Sequence, residues 1–166
     1  MKRAVERSVA VLMTQLYLLC FLAIPAAAQD REKLLGNWKL VSFYTEDVQS
    51  KQRNDLYGAH PNGHIGFTPD GRFFALVAAD GRKPPQTPDD QAAAFRSMIA
   101  YTGKYRLEGD KFITKVDVAW NEGWTGTEQV RFWRVEAGKL YITTAPIPNP
   151  NVPGGMVIGT LVWEKE

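Results

Sequence analysis

Cysteine is almost missing from this chain: Cys20 is the only one in 166 residues, and it lies inside an N-terminal apolar stretch. Everything after that stretch is without a disulfide, a thiol nucleophile or a thiolate metal site. Histidine is almost as scarce. His60 and His64 are the only two, and they flank Pro61, Asn62 and Gly63 in what reads as a turn, not a helix. A metal pair needs a third ligand at defined spacing, and nothing nearby supplies one, so no metal is expected. No glycine-rich phosphate loop follows a strand and no nucleophile elbow is present, so no cofactor and no Ser-His-Asp machinery is expected either.

Long hydrophobic runs are also lacking. The longest, Val9 to Ile24, is broken by Thr14 and Gln15 and falls short of the roughly 20 residues of a membrane-spanning helix. Lys2, Arg3 and Arg7 precede it, and Pro25 with Ala26, Ala27 and Ala28 follow. A basic start, a short apolar run and small residues at the end form a secretory signal peptide. The expectation is a signal peptide over residues 1–28, cleavage after Ala28, and a periplasmic or secreted mature chain of residues 29–166 beginning at Gln29. Leu19 before Cys20 is too large for a lipoprotein site, and no second basic flank supports a membrane anchor.

An excess of one charge is lacking too. Removal of residues 1–28 takes away Lys2, Arg3, Arg7 and Glu6, leaving 17 basic and 17 acidic of the original 20 and 18. The mature chain is formally neutral, which points to neither nucleic acid nor an anionic membrane as a partner. Its length suits one domain with one core.

What is present is a series of short strand patterns separated by turn signals. Asn37 to Thr45 alternates Trp38, Leu40, Ser42 and Tyr44 with Lys39, Val41 and Phe43, a period of two. His64–Thr68 and Arg72–Ala78 flank Pro69, Asp70 and Gly71; Tyr101–Leu107 and Lys111–Val118 flank Glu108, Gly109 and Asp110. Thr127–Val135 and Lys139–Thr144 flank Glu136, Ala137 and Gly138, and Met156–Glu164 closes the series after a proline-rich loop. These are hairpin signals. One stretch, Thr87 to Ala100, reads as an amphipathic helix: Thr87 caps it, Pro88 suits its first position, and Asp89 and Asp90 face the positive end of the dipole. Phe95, Met98 and Ile99 stand at helical spacing in it.

The expected fold is all-β: eight antiparallel strands joined by local hairpins, with one short helix. Local hairpins favour an up-and-down barrel over a two-layer sandwich, and closure removes edge strands. At eight strands the interior is filled by side chains or holds one small ligand.

Several stretches resemble the bacterial and fungal lipocalin-like domain family, a calycin-type barrel. They are Gly36 to Ser42; Phe67 to Arg72; Tyr101 with Gly103, Lys104 and Tyr105; Trp124 with Gly126 to Arg131; and Leu161 to Glu164, in the family's order. The resemblance implies the barrel and a habit of binding small, mostly apolar molecules, without an activity. Thr114 and Lys115 stand where the family pattern has a histidine, so no role is carried over from that position. The resemblance also implies that Trp38 fills the closed end of the barrel, with a basic residue near the end of the last strand, Lys165, packed on it.

The strand Thr127–Val135 leaves two readings open. If Thr127, Gln129, Arg131 and Trp133 face inward, a guanidinium stands in an apolar barrel and needs an acid partner. If Val130 and Phe132 face inward, Arg131 is a solvated surface residue. The aromatic inventory, with tyrosines 44, 57, 101, 105 and 141, suits pocket linings because such rings pack on one edge and hydrogen-bond on the other. The candidate ligand-binding residues are Tyr44, Tyr101, Tyr105, Trp120, Trp124, Gln129 and Arg131. The expected function is binding of a small hydrophobic or amphipathic molecule, at a mouth framed by the Glu46–Asn62 loop, the helix and the proline-rich loop. A second reading is a cofactor-free isomerase, cyclase or hydratase in the same cavity, with Tyr105 as acid or base and Arg131 as electrostatic stabiliser; a third is a filled barrel acting through its surface.

Overall fold

The structure is a computed structural model that describes residues 26–149 and 154–166. The apolar run and Cys20 of the expected signal peptide lie outside the described residues. Helix α1 (Ala26–Leu34) spans the expected cleavage point. The chain divides into two units, one ending at Glu32 and one running from Lys33 to Glu166. No described helix is long and apolar enough to cross a membrane.

The second unit is built from β1 (Gly36–Asp47), β2 (Arg53–Asp55), β3 (Asn62–Phe67), β4 (Arg72–Ala78), α2 (Pro88–Arg96), β5 (Met98–Glu108), β6 (Lys111–Ala119), β7 (Glu128–Glu136), β8 (Lys139–Thr143), β9 (Ile147–Pro148) and β10 (Met156–Lys165). A single 3-10 turn, Glu122–Trp124, lies between β6 and β7. Strands β1, β3, β4, β5, β6, β7, β8 and β10 form a closed antiparallel barrel of eight strands, because β1 pairs with β3 on one side and β10 on the other. The short strands β2 and β9 pair with β1 and β10 inside stretches expected to be loops.

The hairpins follow from turn chemistry. At the first, Gly71 adopts φ +84° while Thr68 exchanges backbone and side-chain hydrogen bonds with Arg72. At the third, Ala137 and Gly138 both take positive φ, the backbone sense that suits the twist of paired strands. Gly103 of β5 has another reason to be glycine. A β-carbon there would collide with the backbone carbonyl of Lys115 on β6, at the irregularity where Thr102 pairs with Val118 but Gly103 pairs with Val116.

A bulge in β1 sets the interior. Leu40 pairs with Trp163 and Ser42 with Val162, so Val41 is an extra residue. Before it Trp38 and Leu40 are buried; after it the buried phase passes to Phe43. The strict alternation expected through Ser42 and Tyr44 ends there, because one extra residue exchanges the two faces.

The helix is shorter than expected. Thr87 caps it in a reciprocal box with Asp90, and Pro88 opens it, but it ends at Arg96. Met98, Ile99 and Ala100 instead pair with Ala78, Val77 and Leu76 as the start of β5. Tertiary pairing overrides the helical spacing here: as strand, these residues complete the β4 ladder and Ile99 packs against the core.

At the narrow end Trp38 is 2% exposed, donates its indole Nε1–H to the Leu34 carbonyl at 2.9 Å, and carries Lys165 Nζ 5.4 Å from its ring centroid. Phe67, Phe73, Phe112 and Tyr105 belong to the same core and form a ring cluster, edge-on and tilted at 5.0–5.3 Å. Rings in such geometry stabilise beyond the area they bury.

Candidate functional site

The barrel holds a cavity of about 380 Å³ above the ring cluster. That falls within the range of small-molecule sites. Its walls are mostly apolar, with Phe43, Ile65, Phe73, Tyr101, Phe112 and Ile142 prominent among them. Its rim includes Leu56 and Ile147, each nearly half exposed.

Strand β7 settles the orientation left open by its sequence. Gln129 pairs with Thr114 and Arg131 with Phe112, and both β6 partners are 0% exposed. Cross-strand partners share a face, so Gln129, Arg131 and Trp133 turn inward. Phe132 lies outside under Lys111 Nζ, and Val130 is 39% exposed. The reading in which Val130 and Phe132 fill the interior does not hold, and α2 does not cover them: it packs on β5.

Arg131 is the only charged side chain among the described cavity-lining residues. A short relay orients it. The Thr127 hydroxyl donates to the Trp124 carbonyl at 2.7 Å and accepts from the Gln129 side-chain amide at 3.0 Å. The Gln129 carbonyl oxygen then accepts from an Arg131 Nη at 3.1 Å, and the other Nη donates to the Val130 carbonyl at 2.8 Å. The Trp124 ring lies over the guanidinium at 5.6 Å.

No carboxylate among the described residues pairs with Arg131. Glu128, its neighbour on the opposite face, is held by two hydrogen bonds from Arg106, which keep its carboxyl below the usual range. Glu122 is tied to Thr125. The positive charge reaches across the cavity instead: burial raises the Tyr101 phenol above its ordinary value, and Arg131 pulls it back.

The other candidates separate by depth and by face. Tyr101 and Trp124 line the cavity, edge to face at 5.3 Å. Trp120 lies behind Trp124, 4.9 Å away, and links it to Phe95 of α2 at 6.3 Å. Tyr105 faces inward but is embedded in the ring cluster against Phe67 and does not line the cavity. Tyr44 follows the Val41 bulge and is turned outward, with Arg53 stacked over its ring at 4.5 Å. The Tyr105–Arg131 pairing of the enzymatic reading is thus not assembled around the cavity.

The mouth also differs in part from expectation. The Glu46–Asn62 segment contributes Leu56, and the proline-rich segment contributes Ala145 and Ile147, but the third side is formed by Ile99 and Trp124, not by α2. Leu56 and Ile147 were missed as site residues; an isolated large apolar residue inside an otherwise polar or proline-rich loop was the available signal. His64 sits in β3 as expected, but the strand already begins at Asn62, so Asn62 and Gly63 are strand and not turn; His64 Nδ1 lies 3.3 Å from a Glu166 carboxylate oxygen.

A closed eight-stranded antiparallel barrel around an apolar cavity defines the class of this protein. The sequence pattern of the lipocalin-like domain family matches residues 35–166, and the chain belongs to that family. Comparison with curated protein sequences gives no match.

Proposed function

We propose that this protein is an exported carrier that takes up a small hydrophobic or amphipathic molecule in its barrel. The observation that carries this reading is the cavity: about 380 Å³, walled mainly by aliphatic and aromatic side chains, with a few polar groups among them. Such a lining favours apolar ligands by desolvation and uses its polar groups for orientation. The family's barrel agrees with small-molecule binding. Export rests on the basic, apolar and small-residue order of residues 1–28. A mass measurement on protein recovered from the periplasm or medium is expected to place the new N-terminus at or near Gln29.

Binding is tested with 1-aminonaphthalene, a small neutral dye whose emission shifts to shorter wavelength in apolar surroundings and whose size suits the cavity. Ala75 is buried and lines the cavity, so Ala75→Leu puts three further carbons into that space. Dye binding is expected to saturate at one site in the parent and to weaken strongly in the variant, with melting temperature measured alongside. Equal binding to both would place the dye outside the barrel and remove this reading.

A further inference from the structure

We propose that the ligand is a carboxylate-bearing amphiphile whose head group docks on Arg131; this rests on the carrier reading above and names its ligand class. A guanidinium has five N–H donors. The contacts of Arg131 to the Val130 carbonyl and the Gln129 oxygen use two of them. The remaining donors belong to a charged group that lines an apolar cavity and has no acid partner among the described residues. A half-buried cation in such surroundings is stabilised by an anion that brings its own apolar body.

The charge count selects the head group. Among the described residues one cation lines the cavity, and Thr45, Gln129 and Thr144 are neutral, which matches a singly charged carboxylate better than a phosphate dianion. The fork of the guanidinium also fits the two oxygens of a carboxylate. The Thr127–Gln129–Arg131 relay holds that fork in place before a ligand arrives, lowering the ordering cost of binding. At roughly 30 Å³ per water-sized group the cavity takes about a dozen non-hydrogen atoms, the scale of a medium-chain or aromatic acid. Phe73, Ile142 and Leu161 supply apolar wall for its body.

The test compares decanoate with decanol by isothermal titration at pH 7.5, on the full mature protein and on Arg131→Met and Arg131→Lys. The parent is expected to prefer decanoate. Arg131→Met is expected to lose roughly tenfold or more in decanoate affinity, the value of a hydrogen bond to a charged group, while decanol changes by less than about twofold. Arg131→Lys, which keeps the charge but not the fork, is expected to fall between. Loss of both ligands in equal proportion, or of neither, would overturn the head-group assignment while leaving the carrier reading intact. Failure of the parent to bind either ligand, together with failure of the neutral dye, would remove the carrier reading itself.

Discussion

Lys165 stands over the ring of Trp38 at the narrow end of the barrel, its Nζ 5.4 Å from the centroid, and the two residues are also backbone partners where β1 meets β10. The strand pair that closes the barrel is therefore capped by the side chains of its own first register pair. Trp38→Ala is expected to destabilise the protein by about 3–5 kcal/mol, since burial is lost and a cavity remains. Trp38→Phe should cost less, mainly the indole bond to Leu34. Urea denaturation measures both, and a Trp38→Ala variant as stable as the parent would mean that this end of the barrel is not packed.

Acid should weaken the first hairpin. Lys104 and Thr68 hold the Asp70 carboxyl at about 2, below its ordinary 3.8. A carboxyl lowered by folding stabilises the native state above its unfolded value, and that contribution disappears as pH falls from near 3.8 toward 2. Asp70→Asn is therefore expected to melt below the parent at pH 7, with the difference shrinking as the pH drops through that window. The pair is exposed, so the difference is small and decreases with salt. A gap that stays constant from pH 7 to 2 would assign the effect to something other than ionisation.

Thr114 offers a test of the interior. It is 0% exposed and its hydroxyl has no hydrogen-bond partner among the described residues. An unsatisfied buried hydroxyl costs about 1–3 kcal/mol, and valine has nearly the same shape. Thr114→Val is expected to leave stability unchanged or raise it by up to that amount, read by chemical denaturation. A clear loss would show that the hydroxyl is bonded in solution, within reach of Gln129 across the strand pair.

The barrel was legible because its signals are local. Pro69-Asp70-Gly71, Glu108-Gly109-Asp110 and Glu136-Ala137-Gly138 each mark a turn, and the runs between them have a period of two. The Val41 bulge was not legible, since a pattern continues smoothly through an extra residue; only the pairing of Leu40 and Ser42 with Trp163 and Val162 reveals it. That one residue turns Tyr44 away from the interior. Tyr101 and Tyr105 share a face of β5, and no periodicity says which is deep in the ring cluster and which meets the cavity. Depth depends on strand tilt and on neighbours remote in sequence, such as Phe67 and Trp124. The sequence leaves the face of Arg131 open, and only its pairing with Phe112 settles the orientation.

Trp124 joins the mouth to the charged subsite, since it touches Tyr101 at 5.3 Å, covers Arg131 at 5.6 Å and receives the Thr127 hydroxyl on its carbonyl. Its ring is part of the cavity wall, whereas Trp120 only supports it from behind. Aromatic contacts contribute about 0.5–1.5 kcal/mol beyond burial, a factor of roughly two to ten in affinity. Trp124→Ala is accordingly expected to weaken the neutral dye by at least that factor, and Trp120→Ala by less, because the second variant leaves the cavity wall in place. Trp124→Phe, which restores a ring without the full indole, should recover part of the loss. Dye titration gives the order, and melting temperature separates lost contact from lost fold. If Trp120→Ala weakened binding as much as Trp124→Ala while both stayed folded, the ligand would reach the outer aromatic pair, and the mouth would extend toward Phe95 of α2.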